Sequence, residues 1–332
     1  MVPGEPLISF IIPVYNAESS LERCLQSVVT QLMNDIELIV VDDGSTDQSQ
    51  KIMNRYADEY PRQVTALKKT SSGTGEGRNA GIRRARGRYV AFIDSDDYIE
   101  PGYVDSIIRE INNHDPDMII IDYNRIYTRP RNVFEQIYRF NRRRIYSGVV
   151  NIESQPELLA TAEVAPWLRI IRRSIFVSHS DIFFSRSRLG EDLEASLKWY
   201  LHTVKIRVLD KKLYNYVIKP GSLNFVSDNL LDYLQVLKSV CSYYRRQQQF
   251  ESFYPQLEYL FTKHLIIAGL LRLWSAGGND SYAVFRKLRE GLLAEFPGYA
   301  KNKLLEAEPL YLRMAVKLSF KYPELIKWFL FH

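Results

Sequence analysis

Near-continuous apolar runs recur in the first part of the chain and predict β-strands that are buried on both faces of a sheet. They lie at residues 7–14, 36–41, 89–93 and 118–121, with a shorter run at 64–67. Segments with apolar residues at three- and four-residue spacing separate these runs and predict helices. The first helix is expected to begin near Ser19, because Ser19 and Glu22 have the spacing of a capping box.

Strand–helix alternation with short connections predicts an α/β fold with an open, mostly parallel central sheet flanked by helices. Residues 125–147 interrupt this alternation with a basic, irregular stretch. Residues 166–176 and 205–217 are strand-like or form short helices, and a helix is predicted between them at 193–201. From about residue 228 onward the pattern is helical.

A length of 332 residues is long for one domain. We therefore expect an α/β domain at residues 1–227 and a helical C-terminal region at residues 228–332. Hydrophobic residues make up 46% and charged residues 25% of the chain, which is ordinary globular composition. The net charge is +5, and no basic–aromatic repeat accompanies it, so nucleic acid is not expected as a partner. Anionic phosphates or an acidic membrane surface fit this charge better.

The two cysteines, Cys24 and Cys241, lie in amphipathic helical patterns and are expected to be buried thiols in a reducing compartment. A disulfide or a metal site is the less favoured interpretation. The N-terminus shows no basic region followed by a long apolar stretch, so no signal peptide is predicted. The longest apolar stretch, residues 265–271, is too short to span a bilayer. We expect a cytoplasmic protein.

Polar residues or a proline follow three of the predicted strands, at Pro13, Asp43 and Asp94. In open parallel sheets, ligands bind beyond the carboxyl ends of the strands, so these positions are expected to share one rim. The turn after the fourth strand carries Asp94, Asp96 and Asp97, whose like charges repel. A divalent cation with hard oxygen ligands, Mg²⁺ or Mn²⁺, relieves that repulsion, and phosphate oxygens fill its open positions. The alternative is a solvated acidic turn that caps the next helix.

The glycines at Gly73, Gly75 and Gly77 do not form a dinucleotide-binding fingerprint. The third glycine comes one position early, and no buried strand immediately precedes the stretch.

Four motifs in order resemble glycosyltransferase family 2, whose members have the GT-A fold and invert the anomeric centre. They are residues 11–16 (IIPVYN), 40–47 (VVDDGSTD), 78–81 (RNAG) and 94–97 (DSDD), and the resemblance covers about residues 6–225. It implies a metal-dependent enzyme that uses a nucleotide-diphosphate sugar. It also implies that residues 73–77 form a flexible loop before Arg78.

The resemblance further implies a nucleotide-binding set and a metal site. The nucleotide-binding residues are Pro13, Val14, Tyr15, Asp42, Asp43, Asp94 and Ser95. Asp43 would accept a hydrogen bond from a uracil N–H, because an ionised carboxylate only accepts. Asp96 would be the principal ligand of Mn²⁺ or Mg²⁺, with Asp94 as a second ligand, while Asp97 would cap the helix that begins near Pro101.

A later acidic pair, Glu191 and Asp192, matches the acceptor-site motif of inverting members, in which the aspartate is the general base. Asp192 is therefore assigned the catalytic role, and Glu191 would orient the donor sugar or the acceptor. Arg78 would pair with the diphosphate, and Lys219 and Ser222 are candidates for a late loop that closes over it. The alternative for the acidic pair is a favourable interaction with a helix dipole, worth ~0.5 kcal/mol.

The C-terminal segments at residues 311–318 and 326–331 mix cationic and large apolar residues. They are expected to pack against the α/β domain or a second subunit, or to lie on the inner membrane surface as interfacial helices do.

The leading hypothesis is a glycosyltransferase of hexosyl or N-acetylhexosaminyl type. It would transfer a sugar from a nucleotide donor, with a UDP-sugar as the favoured donor, to a hydroxyl of a polysaccharide or lipid-linked glycan. One alternative is a sugar nucleotidyltransferase, which would need a Gly-rich, Arg-bearing phosphate loop directly after the first strand. A degenerate, glycan-binding subunit is the other.

Overall fold

The computed structural model describes residues 5–31, 35–70, 73–128, 148–161, 163–187, 189–219, 230–276 and 280–326. Within these residues, nine strands form one mixed sheet. The strands are β1 (Ile8–Val14), β2 (Ile36–Asp42), β3 (Val64–Lys68), β4 (Tyr89–Phe92), β5 (Tyr98–Ile99), β6 (Met118–Tyr127), β7 (Gly148–Val150), β8 (Arg169–Arg172) and β9 (Ile206–Ile218).

Helices separate and flank these strands. Those in the first part are α1 (Glu18–Val29), α2 (Ser49–Glu59), α3 (Thr74–Arg84), α4 (Tyr103–His114), α5 (Glu157–Thr161), α6 (Arg173–Ser178) and α7 (Glu191–Tyr200). The C-terminal part contains α8 (Asp232–Arg246), α9 (Tyr254–Thr262), a π-helical segment (Lys263–Ala268), α10 (Gly269–Ala276), α11 (Ser281–Glu295) and α12 (Leu310–Lys321). Short 3₁₀ turns lie at Pro166–Leu168, Ser180–Ile182, Tyr299–Lys301 and Lys303–Ala307.

The strand order is β3-β2-β1-β4-β8-β6-β9-β5, with β7 also paired to β9. The first four strands in the chain are parallel, as the buried apolar runs predicted. β8 then runs antiparallel to both β4 and β6, while β9 is parallel to β6. The α/β class is confirmed, and the second half of the sheet is mixed. Because β1, β2 and β4 are parallel, the polar segments that follow them lie at the same edge of the sheet.

The capping box expected at Ser19 and Glu22 is wrong. Helix α1 begins at Glu18, whose backbone N–H donates to Asp47 Oδ2 at 2.9 Å. In return, the backbone N–H of Gln48 donates to Glu18 Oε2 at 2.9 Å. The turns after β1 and β2 therefore satisfy the free N–H groups of each other's helices, which fixes them side by side.

The glycine-rich stretch is not a loop before Arg78. Helix α3 begins at Thr74, directly after Gly73, so Gly75 and Gly77 lie in its first turns. Further along, Gly81 packs directly on β1, and a Cβ there would lie 2.3 Å from Ile11 Cγ2. The absence of a side chain at Gly81 lets α3 approach the sheet closely enough to bring Arg78 to its rim.

The C-terminal helices share a hydrophobic core with one face of the sheet. One cluster joins residues of β1, β2 and β4 to residues of α8 to α12. Helix α8 packs on α7, with the Tyr244 hydroxyl donating to Leu197 O at 2.8 Å. The domain boundary near residue 228 lies outside the described residues. In the part of the chain that is described, no helix combines the length and apolarity that a bilayer span needs.

Replacing Gly81 by alanine tests the close contact between α3 and β1. Ile11 is fully buried in the sheet, so the added methyl group meets a side chain with little room to move. We expect destabilisation of about 1–3 kcal/mol, despite the higher helix propensity of alanine. The measurement is the free energy of unfolding in urea.

Gly269→Ala is the matched control, because the nearest atom to a Cβ at that helical position, Leu288 Cδ1, lies at an ordinary contact distance of 3.4 Å. This variant is expected to be as stable as the original protein or more so. Equal stability of the two variants would contradict the packing constraint at Gly81.

Candidate active site

A cavity of about 430 Å³ opens at the carboxyl edge of the sheet. It is lined by the segments that follow β1, β2, β4 and β9 and by the first turns of α1, α3 and α7. The lining residues are Pro13, Val14, Tyr15, Asn16, Ala17, Ser20, Asp43, Thr74, Arg78, Asp94, Ser95, Asp96, Glu191 and Lys219. The structure thus brings most of the sequence-predicted site residues to one place. Neither Asp42 nor Asp192 is part of this lining, although Asp192 accepts a hydrogen bond from Arg78, which is. Ser222 lies outside the described residues.

Arg78 joins two of the predicted motifs. Its guanidinium donates to Asp94 Oδ1 at 2.7 Å and to Asp192 Oδ1 at 2.8 Å, and Glu191 Oε1 lies 3.8 Å away. The side chain is only 3% exposed. Although burial opposes its charge, Asp192, Asp94 and Glu191 raise the pKa of Arg78. Residues that are 98 positions apart, Asp94 and Asp192, are therefore held on one cation.

Helix α7 presents the second acidic pair from its first turn, after Gly190 in the left-handed conformation (φ 89°). Burial and Asp192 raise the pKa of Glu191 to about 8, against the opposing effect of Arg78. Burial also raises the pKa of Asp192, with Asp94 contributing and Arg78 opposing. A carboxylate with a raised pKa is a stronger base than an ordinary aspartate, which is the property that proton abstraction requires.

The turn after β4 carries three carboxylates in different surroundings. Asp96 is partly exposed, and burial together with Asp94 raises its pKa. Asp97 is fully buried, and its burial together with Asp94 and Asp96 raises its pKa to about 8. The expected capping role of Asp97 is wrong, because its carboxylate accepts from the backbone N–H of Val217 at 2.7 Å and from the Tyr214 hydroxyl at 2.8 Å.

Tyr214 is a site residue that the sequence did not reveal. Its hydroxyl donates to Asp97 Oδ2 and accepts from the backbone N–H of Asp94 at 3.0 Å. The ring is fixed by stacking on Trp167, with centroids 4.4 Å apart. The acidic turn is therefore attached to β9, which leads to Lys219. Tyr214 gave no sequence signal because it lies in a strand of mixed polarity, 117 positions after Asp97.

Asn79 is a second residue whose role was missed. Its side chain donates to Phe184 O at 2.8 Å and accepts from the backbone N–H of Phe184 at 2.9 Å. The Phe184 ring in turn lies against the Arg78 guanidinium, 5.2 Å from centroid to Cζ. Asn79 thus fixes the segment that covers Arg78. The RNAG motif marked this residue, but its partner is 105 positions away and could not be read from the motif.

The two aspartates after β2 differ in position. Asp43 lines the cavity and accepts from the backbone N–H of Gly73 at 2.7 Å, so it connects β2 to the start of α3. Asp42 is buried and accepts from the backbone N–H of Ser45 at 2.9 Å. Asp42 therefore shapes the turn that presents Asp43.

Lys219 approaches the acidic turn from the end of β9, with its Nζ 3.8 Å from Asp96 Oδ2. Arg23 in α1 donates to the backbone carbonyl of Asp96 at 2.8 Å. Two cations therefore lie beside the acidic turn, of which Lys219 also lines the cavity. This arrangement suits a ligand that carries both negative charge and a bound metal ion.

The described residues contain no cluster of three or more His, Cys, Asp or Glu side chains that could enclose a metal ion. Asp94 and Asp96 supply hard carboxylate oxygens at the mouth of the cavity, which is the donor type that Mg²⁺ and Mn²⁺ prefer. Two carboxylates suffice for an ion that takes its remaining ligands from phosphates and water. The residues present therefore fit a metal that is held jointly with a ligand.

A model of the glycosyl transferase family 2 matches residues 9–176, about half of the chain. The chain therefore belongs to glycosyl transferase family 2. The family predicted from the four motifs is confirmed. Twelve of the fourteen residues that line the cavity lie within the matched range.

Among curated relatives, the chain is 32% identical over 228 residues to the glycosyltransferase GlyA of Streptococcus pneumoniae, covering 66% of this chain and 32% of GlyA. It is 30% identical over 220 residues to the poly(ribitol-phosphate) beta-N-acetylglucosaminyltransferase TarS of Staphylococcus aureus, covering 64% of this chain and 35% of TarS. The chain thus spans about a third of the length of either relative.

Two solved structures are similar in fold. The S. aureus TarS fragment 1–349, in complex with UDP, superposes with a TM-score of 0.70 at 22% identity, covering 94% of this chain and 88% of that chain. The mannosyltransferase PcManGT of Pyrobaculum calidifontis, in complex with GDP-Man and Mn²⁺, gives a TM-score of 0.55 at 17% identity, covering 96% and 88%. At these identities the similarity shows the fold alone, and it confirms the predicted α/β architecture with a helical C-terminal region.

Tyr214→Phe tests whether the acidic turn depends on β9. The variant keeps the stacked ring but leaves Asp97 Oδ2 without its donor and the Asp94 N–H without its acceptor. Unmet buried hydrogen bonds cost roughly 1–3 kcal/mol, so we expect a loss of that order in the free energy of unfolding. Nucleotide-sugar affinity in the presence of Mn²⁺, measured by calorimetry, is expected to fall as well.

Tyr216→Phe is the matched control, because Tyr216 stacks on the same Trp167 ring at 5.4 Å. Its hydroxyl bonds to neither Asp94 nor Asp97 in the structure. If both variants behaved like the unmodified protein, Tyr214 would have no positioning role.

Proposed function

We propose that this protein transfers a sugar from a nucleotide-diphosphate donor to an acceptor hydroxyl with inversion, in one direct displacement. The acceptor oxygen attacks the anomeric carbon, the bond from that carbon to the diphosphate oxygen breaks, and the nucleoside diphosphate departs. Asp192 takes the proton of the attacking hydroxyl. One base and one leaving-group site are sufficient, so no covalent sugar intermediate is required.

The observation that carries this proposal is the bridge from Asp94 through Arg78 to Asp192. It links the acidic turn, where the diphosphate would bind, to the carboxylate that would accept the proton. Direct displacement needs a leaving group and a base on opposite sides of the reacting carbon. A donor diphosphate between Arg78 and Asp96 would place its sugar toward the first turn of α7, where Asp192 lies.

Asp94 and Asp96 would hold Mn²⁺ or Mg²⁺, and Lys219 would contact the diphosphate from the other side of the cavity. When bound, the metal supplies electrostatic stabilisation of the charge that develops on the leaving diphosphate. Glu191 lines the cavity beside Arg78, and burial together with Asp192 raises its pKa, which favours the protonated carboxyl. It would therefore be able to donate a hydrogen bond to a sugar hydroxyl.

The Asp43 carboxylate favours a nucleotide whose base carries a ring N–H. An ionised carboxylate only accepts hydrogen bonds, so Asp43 suits the ring N–H of uracil or guanine and repels the unprotonated ring nitrogen of cytosine. The TarS structures with UDP and with UDP-GlcNAc favour uracil, while PcManGT with GDP-Man keeps guanine as an alternative. We propose a UDP-sugar as the donor.

For the acceptor we propose a hydroxyl of a polysaccharide or lipid-linked glycan. The relative TarS acts on poly(ribitol-phosphate), as its name states, and this supports a polymeric acceptor. No feature of the site favours the nucleotidyltransferase alternative. The residues directly after β1 are Tyr15 and Asn16, and the Asn16 side chain caps the backbone N–H of Thr46 rather than forming a phosphate loop.

Asp192→Asn separates donor binding from catalysis. Asparagine keeps the shape of the side chain but cannot take up a proton, so we expect donor affinity to stay within about twofold and turnover to fall about 10²–10⁴-fold. Donor affinity is measured by calorimetry, and turnover by release of the nucleoside diphosphate from the donor, with water or a glycan as acceptor. Asp96→Asn is expected instead to weaken the Mn²⁺-dependent binding of the donor.

Asp105→Asn is the matched control, because Asp105 is an exposed aspartate in the first turn of α4. If Asp192 only stabilised its helix through the macrodipole, both variants would lose the same small amount of stability and retain turnover. Equal turnover of Asp192→Asn and the unmodified protein would refute the assignment of the base. Absence of donor cleavage by the unmodified protein would favour the degenerate, glycan-binding subunit.

A thermal-shift panel of UDP-, GDP- and CMP-sugars, each with and without Mn²⁺, identifies the donor nucleotide. We expect UDP-sugars to raise the melting temperature most, and only weakly without metal. CMP-sugars are expected to give a smaller shift, because cytosine presents an unprotonated ring nitrogen where uracil presents the ring N–H that would donate to Asp43. A larger shift with a CMP-sugar would contradict the proposed contact.

A further inference from the structure

Large apolar side chains are concentrated on the outside of α12 and in the residues that directly follow it. Of the eleven large apolar side chains that are exposed among the described residues, six lie between positions 310 and 325. They are Leu310, Tyr311, Met314, Leu318, Tyr322 and Leu325. Leu310 is 67% and Leu325 56% exposed. Single exposed apolar residues are normal on a protein surface, but a group of this kind marks an interaction site.

The orientation of α12 is fixed by its opposite side. Leu312, Val316 and Ser319 are buried. The Ser319 hydroxyl oxygen lies 3.2 Å from the Tyr299 hydroxyl oxygen. Arg289 in α11 donates to Ser319 O at 2.8 Å. Because these contacts hold the inner side of α12, its apolar outer residues cannot turn inward.

Basic residues accompany the apolar ones. Arg313, Lys317 and Lys321 lie in α12, which contains no acidic residue. At 100° per residue, Lys317 and Lys321 lie on the same exposed arc as Leu310 and Met314. Lys321 Nζ also lies 5.2 Å from the centroid of the Tyr322 ring. We call the six exposed apolar residues together with these three cations the α12 outer face.

We propose that the α12 outer face docks on an anionic lipid bilayer surface. A helix of this kind lies in the membrane interface, with apolar side chains at the acyl boundary and cations at the anionic headgroups. Lysine is suited to such an edge because its methylene stem can follow apolar surface while its charge stays in water. The proposal is independent of the transferase activity, since it concerns a surface that does not include the cavity.

A second copy of this chain is the competing occupant of the outer face. In a two-fold symmetric dimer the same face meets itself, so the cations of both copies would approach each other. Helix α12 itself offers no acidic residue to pair with them, and Glu324, which follows the helix, accepts a hydrogen bond from the Tyr282 hydroxyl at 2.8 Å. Like-charge juxtaposition opposes association, whereas an anionic bilayer complements every one of these charges. The charge pattern therefore favours lipid.

Co-sedimentation of the 332-residue chain with vesicles tests the proposal. We expect binding to phosphatidylcholine vesicles that contain about 30% phosphatidylglycerol, weak binding to phosphatidylcholine alone, and weaker binding as salt rises from about 0.1 to about 0.5 M. The triple variant Leu310→Ser, Met314→Ser, Leu318→Ser is expected to lower the partition coefficient at least about tenfold. Lys317→Gln with Lys321→Gln is expected to lower it by several-fold and to reduce the salt dependence.

Two control variants remove comparable apolar or charged side chains from other parts of the surface. Val177→Ser with Val204→Ser removes exposed apolar surface, since these side chains are 70% and 76% exposed, and Lys211→Gln with Lys212→Gln removes two exposed charges. All four variants should keep the melting temperature and donor-induced thermal shift of the unmodified protein. If the triple serine variant unfolds, the single variant Met314→Ser takes its place.

Three outcomes would overturn the proposal. The first is no binding to anionic vesicles, and the second is equal losses in the α12 variants and the controls. The third is a dimer in analytical ultracentrifugation that the triple serine variant dissociates, without any vesicle binding, which would assign the face to a second copy. Loss of transferase activity with vesicle binding retained would concern only the proposed function.

Discussion

A guanidinium that is 3% exposed keeps its charge only if anions face it, because a buried ion loses several kcal/mol of solvation. Arg78 meets this condition with Asp94 on one side and Asp192 on the other. The dependence is mutual, since Asp94 raises the pKa of Asp192 and the Arg78 guanidinium between the two carboxylates opposes this effect. One buried cation thus makes it possible for two acidic motifs to occupy one rim.

The sheet and helices are arranged so that Arg78 can reach that rim. Gly81 lets α3 lie against β1, and Asn79 holds Phe184 over the guanidinium. On the far side, Gly190 allows α7 to begin with Asp192 next to Arg78. A Cβ at Gly190 would lie 3.0 Å from Tyr233 of α8, so the C-terminal helices determine how closely α7 can pack. The helical region therefore contributes to the site even though it carries none of the motifs.

The sequence revealed those parts of the structure that have a local cause. Parallel strands buried on both faces appear as continuous apolar runs, and acidic turns are visible where such runs end. Pairings between distant residues were not visible. The reciprocal capping of Glu18 and Asp47 replaces the local capping box, and β8 enters between β4 and β6 in the opposite direction. Tyr214 looked like any aromatic strand residue, because its function is set by the buried carboxylate that it contacts.

Asp97 shows why such distant contacts are needed at this turn. Three carboxylates in four positions repel, and the fold separates them by environment. Asp97 is withdrawn into the protein and bonded to Tyr214 and to the Val217 backbone, Asp94 is paired with Arg78, and Asp96 is left partly exposed. Only Asp96 then has a carboxylate with few protein partners at the mouth of the cavity. A cation shared with a diphosphate, as proposed, would have its most accessible ligand there, which gives a physical reason for the third acidic residue to be buried.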